Sequence, residues 1–470
     1  MKRSKKLGIL LGVLLAVCLT TAAVTGMQQK KEDIRSTESI ILEIPTESVT
    51  ALAWNSETAP QPLAYHRTDG QWIYDEDEAF PVDNAKIDQL LEQFQQFSAA
   101  FIIENVEDYG QYGLDDPMGT ITITTDGTQY EIQLGDFSKM DSQRYLSIGD
   151  GNVYLAQHDP MEEFSAVLGQ TMLHDDIPEF DQITSVVFQG EEPYQIDYLE
   201  DSGYSYRDSD VYFRGTDPLD TGRVDTYLNS LSHIILENDV SYNVTPEELT
   251  TYGLDTPELT VTVNYTEQDA EEDEAAQSVT VSISQDPTEK AVKEVELKTE
   301  EDSDAPEEIT AYLRVGESPI VYKISTDEYR QVMAYGYDDL RHEQILPAEV
   351  QSITAVDAAF DNEQYHFTSE SGQDDARVWS CQDEEVSITG LENALSGMRA
   401  YSFMEEAPAG PLEVSVTLTL EGEDAPQSTI DLYRYDGEYC LATVDGRPTA
   451  LIPRSQMVDL KEAVNSIVLG

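Results

Sequence analysis

The sequence predicts an α+β protein: three tandem repeat modules, each a mostly antiparallel sheet with two helices, following one N-terminal transmembrane helix. Three observations predict it. The N-terminus carries an apolar stretch of bilayer length, and a six-residue turn recurs after 140 residues with similar flanks on both sides. Between these landmarks, segments that alternate apolar and polar residues are interleaved with short segments of helical period. The length agrees, because 470 residues at roughly 150 per domain make about three domains. An apolar content of 40% suffices for packed cores.

The first element is the membrane segment, residues 1–26. Lys2, Arg3, Lys5 and Lys6 precede an uncharged run from Leu7 to Gly26. About 20 residues at a helical rise of ~1.5 Å span the ~30 Å hydrocarbon layer. Flanking positive charge holds the N-terminus in the cytoplasm, so the chain after Met27 is expected outside. An uncleaved anchor is the primary reading. A signal peptide cleaved near Ala22, Ala23 or Gly26, and a lipoprotein signal at Leu15-Ala16-Val17-Cys18, are the alternatives. All three export the chain. Residues 27–39 are expected to form a stalk.

The first module, 40–178, opens with the strand Ser48-Val49-Thr50-Ala51-Leu52 and a hairpin containing Trp72. Ile87, Leu90, Leu91 and Phe94 recur at i, i+3, i+4 and i+7, predicting a helix capped by Asn84. The turn Tyr112-Gly113-Leu114-Asp115-Asp116-Pro117 follows, then the strand Thr120-Ile121-Thr122-Ile123, and then Tyr145 to Gly149 and Val153-Tyr154 as strand, tight turn, strand. Asp159-Pro160 with Glu162 and Glu163 opens a short closing helix.

The second module, 179–347, repeats the plan. Ile183-Thr184-Ser185-Val186-Val187 is its first strand, and Val224, Tyr227, Leu228 and Leu231 form the apolar face of a helix capped by Thr221. Tyr252-Gly253-Leu254-Asp255-Thr256-Pro257 then leads into Thr260-Val261-Thr262-Val263. Tyr312 to Gly316 and Val321-Tyr322 match the later strands, and Ser325 with Glu328 is a capping box. Residues 266–310 carry sixteen acidic and three basic side chains, which reads as a solvated insertion. Val279 to Ile283 is expected to be a strand inside it, paired with Val292 to Leu297. The like-charge runs Glu267–Glu274 and Glu300–Glu308 repel one another.

A degenerate third module, 348–470, begins with Ser352-Ile353-Thr354-Ala355-Val356. Thr389 is expected to cap a helix carrying Leu391, Ala394, Leu395 and Met398. Alternating Val414, Val416 and Leu418 form a strand, Tyr439 to Val444 another, and Met457 to Val468 a terminal helix. The Tyr-Gly-Leu triplet is missing here.

In the repeated turn, each residue type has a physical task. Glycine takes positive φ without steric cost, proline stops a helix, and Thr alternating with Ile or Val makes a half-buried strand. Tyr112, Gly113, Leu114 and Pro117, with Tyr252, Gly253, Leu254 and Pro257, are therefore read as a helix-to-strand corner.

Charge restricts the partners. With 92 acidic against 27 basic residues, a net charge of −65, the chain lacks the basic footprint of a nucleic-acid binder. Six histidines stand singly, without the three-to-five-residue spacing of a helical zinc site. Gly-x-Ser-x-Gly and phosphate-loop patterns are missing. Asp75 to Glu78 and Asp208 to Asp210 lack the glycine and the distal glutamate of an EF-hand. No catalytic, metal or cofactor residues are assigned. Cys381 and Cys440 lie in strand-like segments of the third module; outside the cell they either form a disulfide or stay as two buried thiols.

At the Tyr-Gly-Leu-x-x-Pro turn, with Pro81-Val82-Asp83 ahead of the helix and the Tyr-Leu-x-Ile-Gly strand after it, the sequence resembles a bacterial family known only as a domain of unknown function, numbered 4340. The resemblance spans about residues 40–345 as two tandem copies. It implies a membrane-anchored, extracytoplasmic repeat protein of the kind encoded beside ABC-transport and gliding-type components. It carries no catalytic residues. The expected function is a non-enzymatic accessory or scaffold at the cell envelope, partnered by the bilayer and an envelope protein, plausibly an ABC-type transporter. The alternative is a glycan-binding or carbohydrate-processing ectodomain.

Overall fold

The computed structural model describes residues 33–36, 39–57, 62–266, 276–296, 308–371, 377–422 and 424–469. The expected transmembrane helix and Cys18 lie outside the described residues, as do the acidic run Glu267–Glu274 and all of Glu300–Glu308 except Glu308. Among the described residues, no helix is long and apolar enough to cross a membrane. The chain divides into two compact units, Met1–His174 and Asp175–Gly470.

The first unit carries one sheet. Its strands are β1 (Asp33–Ser36), β2 (Ile40–Leu42), β3 (Val49–Ser56), β4 (Leu63–Thr68), β5 (Gln71–Tyr74), β6 (Phe97–Glu104), β7 (Gly119–Thr125), β8 (Gln129–Ser138), β9 (Gln143–Ser147) and β10 (Val153–Ala156). Their order is β1-β6-β10-β9-β8-β7-β3-β4-β5, with β2 also on β6. Helix α1 (Asn84–Glu92) crosses between β5 and β6, and α2 (Met161–Phe164) follows β10.

The second unit carries two sheets. The first consists of β11 (Gln182–Gln189), β12 (Tyr194–Tyr198), β13 (Tyr212–Arg214), β14 (Asp217–Pro218), β15 (Asp239–Ser241), β16 (Leu259–Thr266), β17 (Gln277–Gln285), β18 (Ala311–Val315) and β19 (Val321–Ile324), ordered β14-β13-β12-β11-β16-β17-β18-β19-β15. The other consists of β20 (Ile353–Phe360), β21 (Glu363–Ser371), β22 (Arg377–Cys381), β23 (Glu384–Val386), β24 (Ser402–Phe403), β25 (Leu412–Leu420), β26 (Gln427–Arg434), β27 (Tyr439–Val444) and β28 (Arg447–Pro453), ordered β23-β22-β21-β20-β25-β26-β27-β28-β24. The ladders are antiparallel, and with the helices they make an α+β fold.

Setting aside the extra edge strands β1, β2, β14 and β23, all three sheets follow one order. Their strands, counted along the chain, lie as third, second, first, fifth, sixth, seventh, eighth, fourth. The third copy, which reads as degenerate in sequence, is complete in its sheet.

Among the described residues the first and third sheets have the expected two α-helices each, and the second departs from that pair. Among the described residues the second sheet has five: α3 (Thr221–Ser232), α4 (Pro246–Leu249), α5 (Pro287–Glu296), α6 (Thr326–Met333) and α7 (Tyr337–Leu340). The third has α8 (Thr389–Gly397) and α9 (Arg454–Leu469). Helix α5 takes the place of the strand expected at Val292–Leu297 as far as Glu296; Leu297 lies outside the described residues. Asp286 accepts from the amides of Thr288 and Glu289 at 2.8 and 2.9 Å, and Pro287 sits at the first helical position, so the chain starts a helix. Strand β17 finds its partners in β16 and β18 instead.

The caps of α1 and α3 lie one residue earlier than expected, at Asp83 and Asp220. Asn84 and Thr221 have another task, tying the helix to the preceding hairpin. Asn84 Oδ1 accepts from the Trp72 amide at 2.6 Å and Thr221 Oγ1 from the Val211 amide at 3.2 Å. Thr389 is likewise the first helical residue, with Ile388 at the cap.

The apolar faces predicted from periodicity are buried: Ile87, Leu90, Leu91 and Phe94 in the first copy, Val224, Tyr227, Leu228 and Leu231 in the second, Leu391, Leu395 and Met398 in the third. Each such side chain contributes roughly 1.5–3 kcal/mol relative to exposure. They cover one side of each sheet, where Leu52, Val186 and Val356 of the first strands are also buried.

Candidate functional site

The repeated turn is a structural corner, built alike in both copies. Gly113 and Gly253 both have φ 69°. In the first copy the Gly113 amide donates to the Gly110 carbonyl and the Leu114 amide to the Tyr109 carbonyl; in the second, Gly253 donates to Thr250 and Leu254 to Leu249. The Tyr112 ring packs on Tyr145 and that of Tyr252 on Tyr312, both at 4.9 Å between centroids. Leu114 and Leu254 are buried. Pro117 and Pro257 stand two residues ahead of β7 and β16 and block helix continuation there. The tyrosine and leucine side chains of the motif pack into the protein.

Two features shared by all three copies complete this frame. The first strand of each sheet has a bulge centred on a threonine, Thr50, Thr184 or Thr354, where the pairing register skips one residue. Each threonine hydroxyl donates to a carbonyl of the neighbouring strand: Thr124 at 3.2 Å, Asn264 at 3.1 Å and Thr419 at 3.1 Å. An extra strand residue leaves a ladder group to be satisfied by other means, and the hydroxyl satisfies it. The second feature is a glycine against the end of the sixth strand. Gly113 faces Asp136, Gly253 faces Ser284 and Gln285, and Gly410 of the third copy faces Arg434. Gly410 fills this role where the triplet has been lost.

Cys381 and Cys440 are buried free thiols. The disulfide open to them in sequence is not formed, because β21, β20, β25 and β26 lie between β22 and β27. Strands are ~4.8 Å apart, whereas a disulfide needs Cα atoms within about 7 Å. Burial pushes both thiols up from their ordinary pKa, with Glu384 adding to this at Cys381.

A cluster that no sequence spacing marks joins the second sheet to the connector ahead of the third. Asp210, buried, accepts from Ser205 Oγ at 2.6 Å and lies 3.0 Å from His342 Nε2; His342 Nδ1 lies 3.5 Å from Asp220. Arg207 donates to the Leu346 carbonyl and, at 3.1 Å, to Gln344 Oε1. Here Arg207 binds the connector at Gln344 and Leu346, and His342 of the same connector lies against Asp210 and Asp220, which ties the connector to the second sheet. Among the described residues no group of three or more His, Cys, Asp or Glu side chains could hold a metal ion.

The open chemistry lies in the second sheet. Between α3 and strands β11 to β13 is a groove of about 590 Å3. Tyr212, buried, lines it beside Asp225; burial, then the nearby Asp225 carboxylate, push the phenol above its ordinary pKa. Tyr198 stands edge-on to Tyr212 at 5.5 Å and is 37% exposed. Asp181 and Glu200 add two more carboxylates at the rim, and none of the lining residues is basic. The chemistry of such a surface suits cationic or hydroxyl-rich groups. A comparable groove of about 620 Å3 in the third sheet contains Lys461, which already pairs with Asp361 at 3.1 Å. No sequence motif marks the groove of the second sheet, since Tyr198 and Tyr212 meet through strand pairing and Asp181 and Asp225 join them only in the folded chain.

A family model described as "Domain of unknown function (DUF4340)" matches residues 72–208 and 214–414. Each match starts on the third strand of one sheet and runs into the next sheet, so the second reaches β25 of the third copy. No curated protein and no solved structure matches the chain.

Proposed function

Because the chain belongs to the DUF4340 family through two tandem copies, we propose that it is a non-enzymatic accessory or scaffold protein of the bacterial envelope. It is held by its N-terminal apolar segment, with the remainder outside the membrane. In this reading three modules present sheet and loop surfaces to an envelope protein, with an ABC-type transporter as the partner class. One observation carries it: the positions shared by the copies, from the bulge threonines to the corner glycines, are consumed in building the sheets. What varies between copies is the solvent-facing lining of the grooves, as expected where repeats serve as binding surfaces.

The test is in-cell crosslinking of the full-length chain followed by capture from solubilised membranes. A membrane transport protein enriched over a control of the N-terminal segment alone is the expected result; equal recovery in both refutes the reading. A reporter fused after residue 40 is expected to be active only on the outer side. The second reading, a glycan-binding or carbohydrate-processing ectodomain, draws support from the exposed Tyr198 among the carboxylates of the groove, and a glycan array addresses it.

A further inference from the structure

We infer that the groove of the second sheet is a receptor for a guanidinium group, supplied by an arginine side chain of a partner protein. The first and second sheets carry two copies of the same site. Strand pairing counted from the bulge threonine places Arg67 and Tyr198 at one position, and Trp72 and Tyr212 at the position paired across from it. On the helices, Asp88 and Asp225 each lie five residues after the capping aspartates Asp83 and Asp220.

In the first sheet this site is filled from within. The Arg67 guanidinium lies over the Trp72 ring at 4.5 Å, pairs with the Asp88 carboxylate and donates to the Thr46 carbonyl at 3.4 Å. Trp72 Nε1 donates to the same Asp88 oxygen at 2.9 Å. An aromatic face and an oriented carboxylate are the two groups that suit a planar cation.

In the second sheet both groups remain and the cation is missing. Tyr212 and Asp225 line the groove at the places of Trp72 and Asp88, with Tyr212 buried against the Tyr198 ring. Tyr198 takes the place of Arg67, leaving the groove open with an exposed ring at its mouth. Asp181 and Glu200 lower the potential at the entrance. The first copy therefore shows that an aromatic ring and this helix carboxylate hold a guanidinium between them, and the second leaves the Tyr198 ring and Asp225 exposed with no basic side chain in the groove lining. The identification of the ligand as part of a protein rests on the scaffold reading; the guanidinium specificity does not.

The test titrates the full-length protein in lipid nanodiscs with N-acetyl-arginine amide, its neutral isostere N-acetyl-citrulline amide, free L-arginine and triacetylchitotriose. The arginine amide is expected to bind at one site per chain, about tenfold tighter than the citrulline amide. Asp225→Asn is expected to weaken it about tenfold, and Tyr198→Arg, which rebuilds the internal occupant, to abolish it in a folded chain. Arg67→Ser is expected to raise the stoichiometry toward two. Equal binding of the citrulline amide, or binding insensitive to both Asp225→Asn and Tyr198→Arg, overturns the site. Preference for the saccharide overturns the ligand class, and preference for free arginine overturns the protein source. Crosslinked capture with Tyr198→Arg separates the two proposals: a partner still recovered removes the groove as its contact and leaves the scaffold reading intact.

Discussion

A single methyl group distinguishes the two corner glycines. Both have φ 69°, where an alanine carries backbone strain. A Cβ on Gly113 stands 2.7 Å from the Asp136 side chain and 2.8 Å from its backbone nitrogen, whereas on Gly253 it meets Pro287 Cγ and Ser284 Cβ at 3.1 and 3.2 Å. Gly113→Ala is therefore expected to destabilise by about 2–3 kcal/mol and Gly253→Ala by about 1, read as separate shifts in calorimetric unfolding. Equal costs at the two sites contradict this account. The importance of these glycines was legible in the sequence, because few residue types tolerate such a corner. The role of Gly410 was not, because it works through close approach of two backbones, which leaves no spacing pattern.

At the level of single elements, α9 is fastened to its sheet by Glu413. This carboxylate on β25 accepts from Arg454 at the start of α9 and from Arg434 on β26. The hydrogen bond from Arg454, with further help from Arg434, holds the Glu413 carboxyl below the usual glutamate range. A carboxyl with a depressed folded pKa contributes stability that is present above its unfolded value, near 4.3, and is lost as pH falls through the folded value. Glu413→Gln is expected to lower the stability of the third sheet at neutral pH and to flatten its acid limb below about pH 4. Denaturant titrations at pH 3 and pH 7 check this; a variant as acid-sensitive as the parent contradicts it. Helix α5 shows where local reading of elements fails. Val292 and Val295 stand three residues apart, as on one helix face, and Asp286 and Pro287 start the helix ahead of them. The strand order of the third sheet was hidden for a different reason. Its most recognisable segment, the Tyr-Gly-Leu triplet, had changed, while the Ile353-Thr354-Ala355 bulge that marks it in the structure is short and common in composition.

For the molecule as a whole, charge is the dominant long-range term. A net −65 opposes compaction by self-repulsion, and salt screens it over a Debye length of ~10 Å at 0.1 M. The melting temperature is expected to rise by several degrees, about 3–6, as sodium chloride goes from 10 to 150 mM; a flat or falling dependence contradicts this. The tandem architecture was legible from two corners 140 residues apart. The groove was not, since it depends on which residues register brings side by side.

That register has an evolutionary corollary. Arg67 and Tyr198 occupy one strand position in duplicated blocks, so exchanging a single codon there separates a self-sufficient block from a receptive one. A lineage that copies such a unit can vary what it recognises without disturbing how it folds.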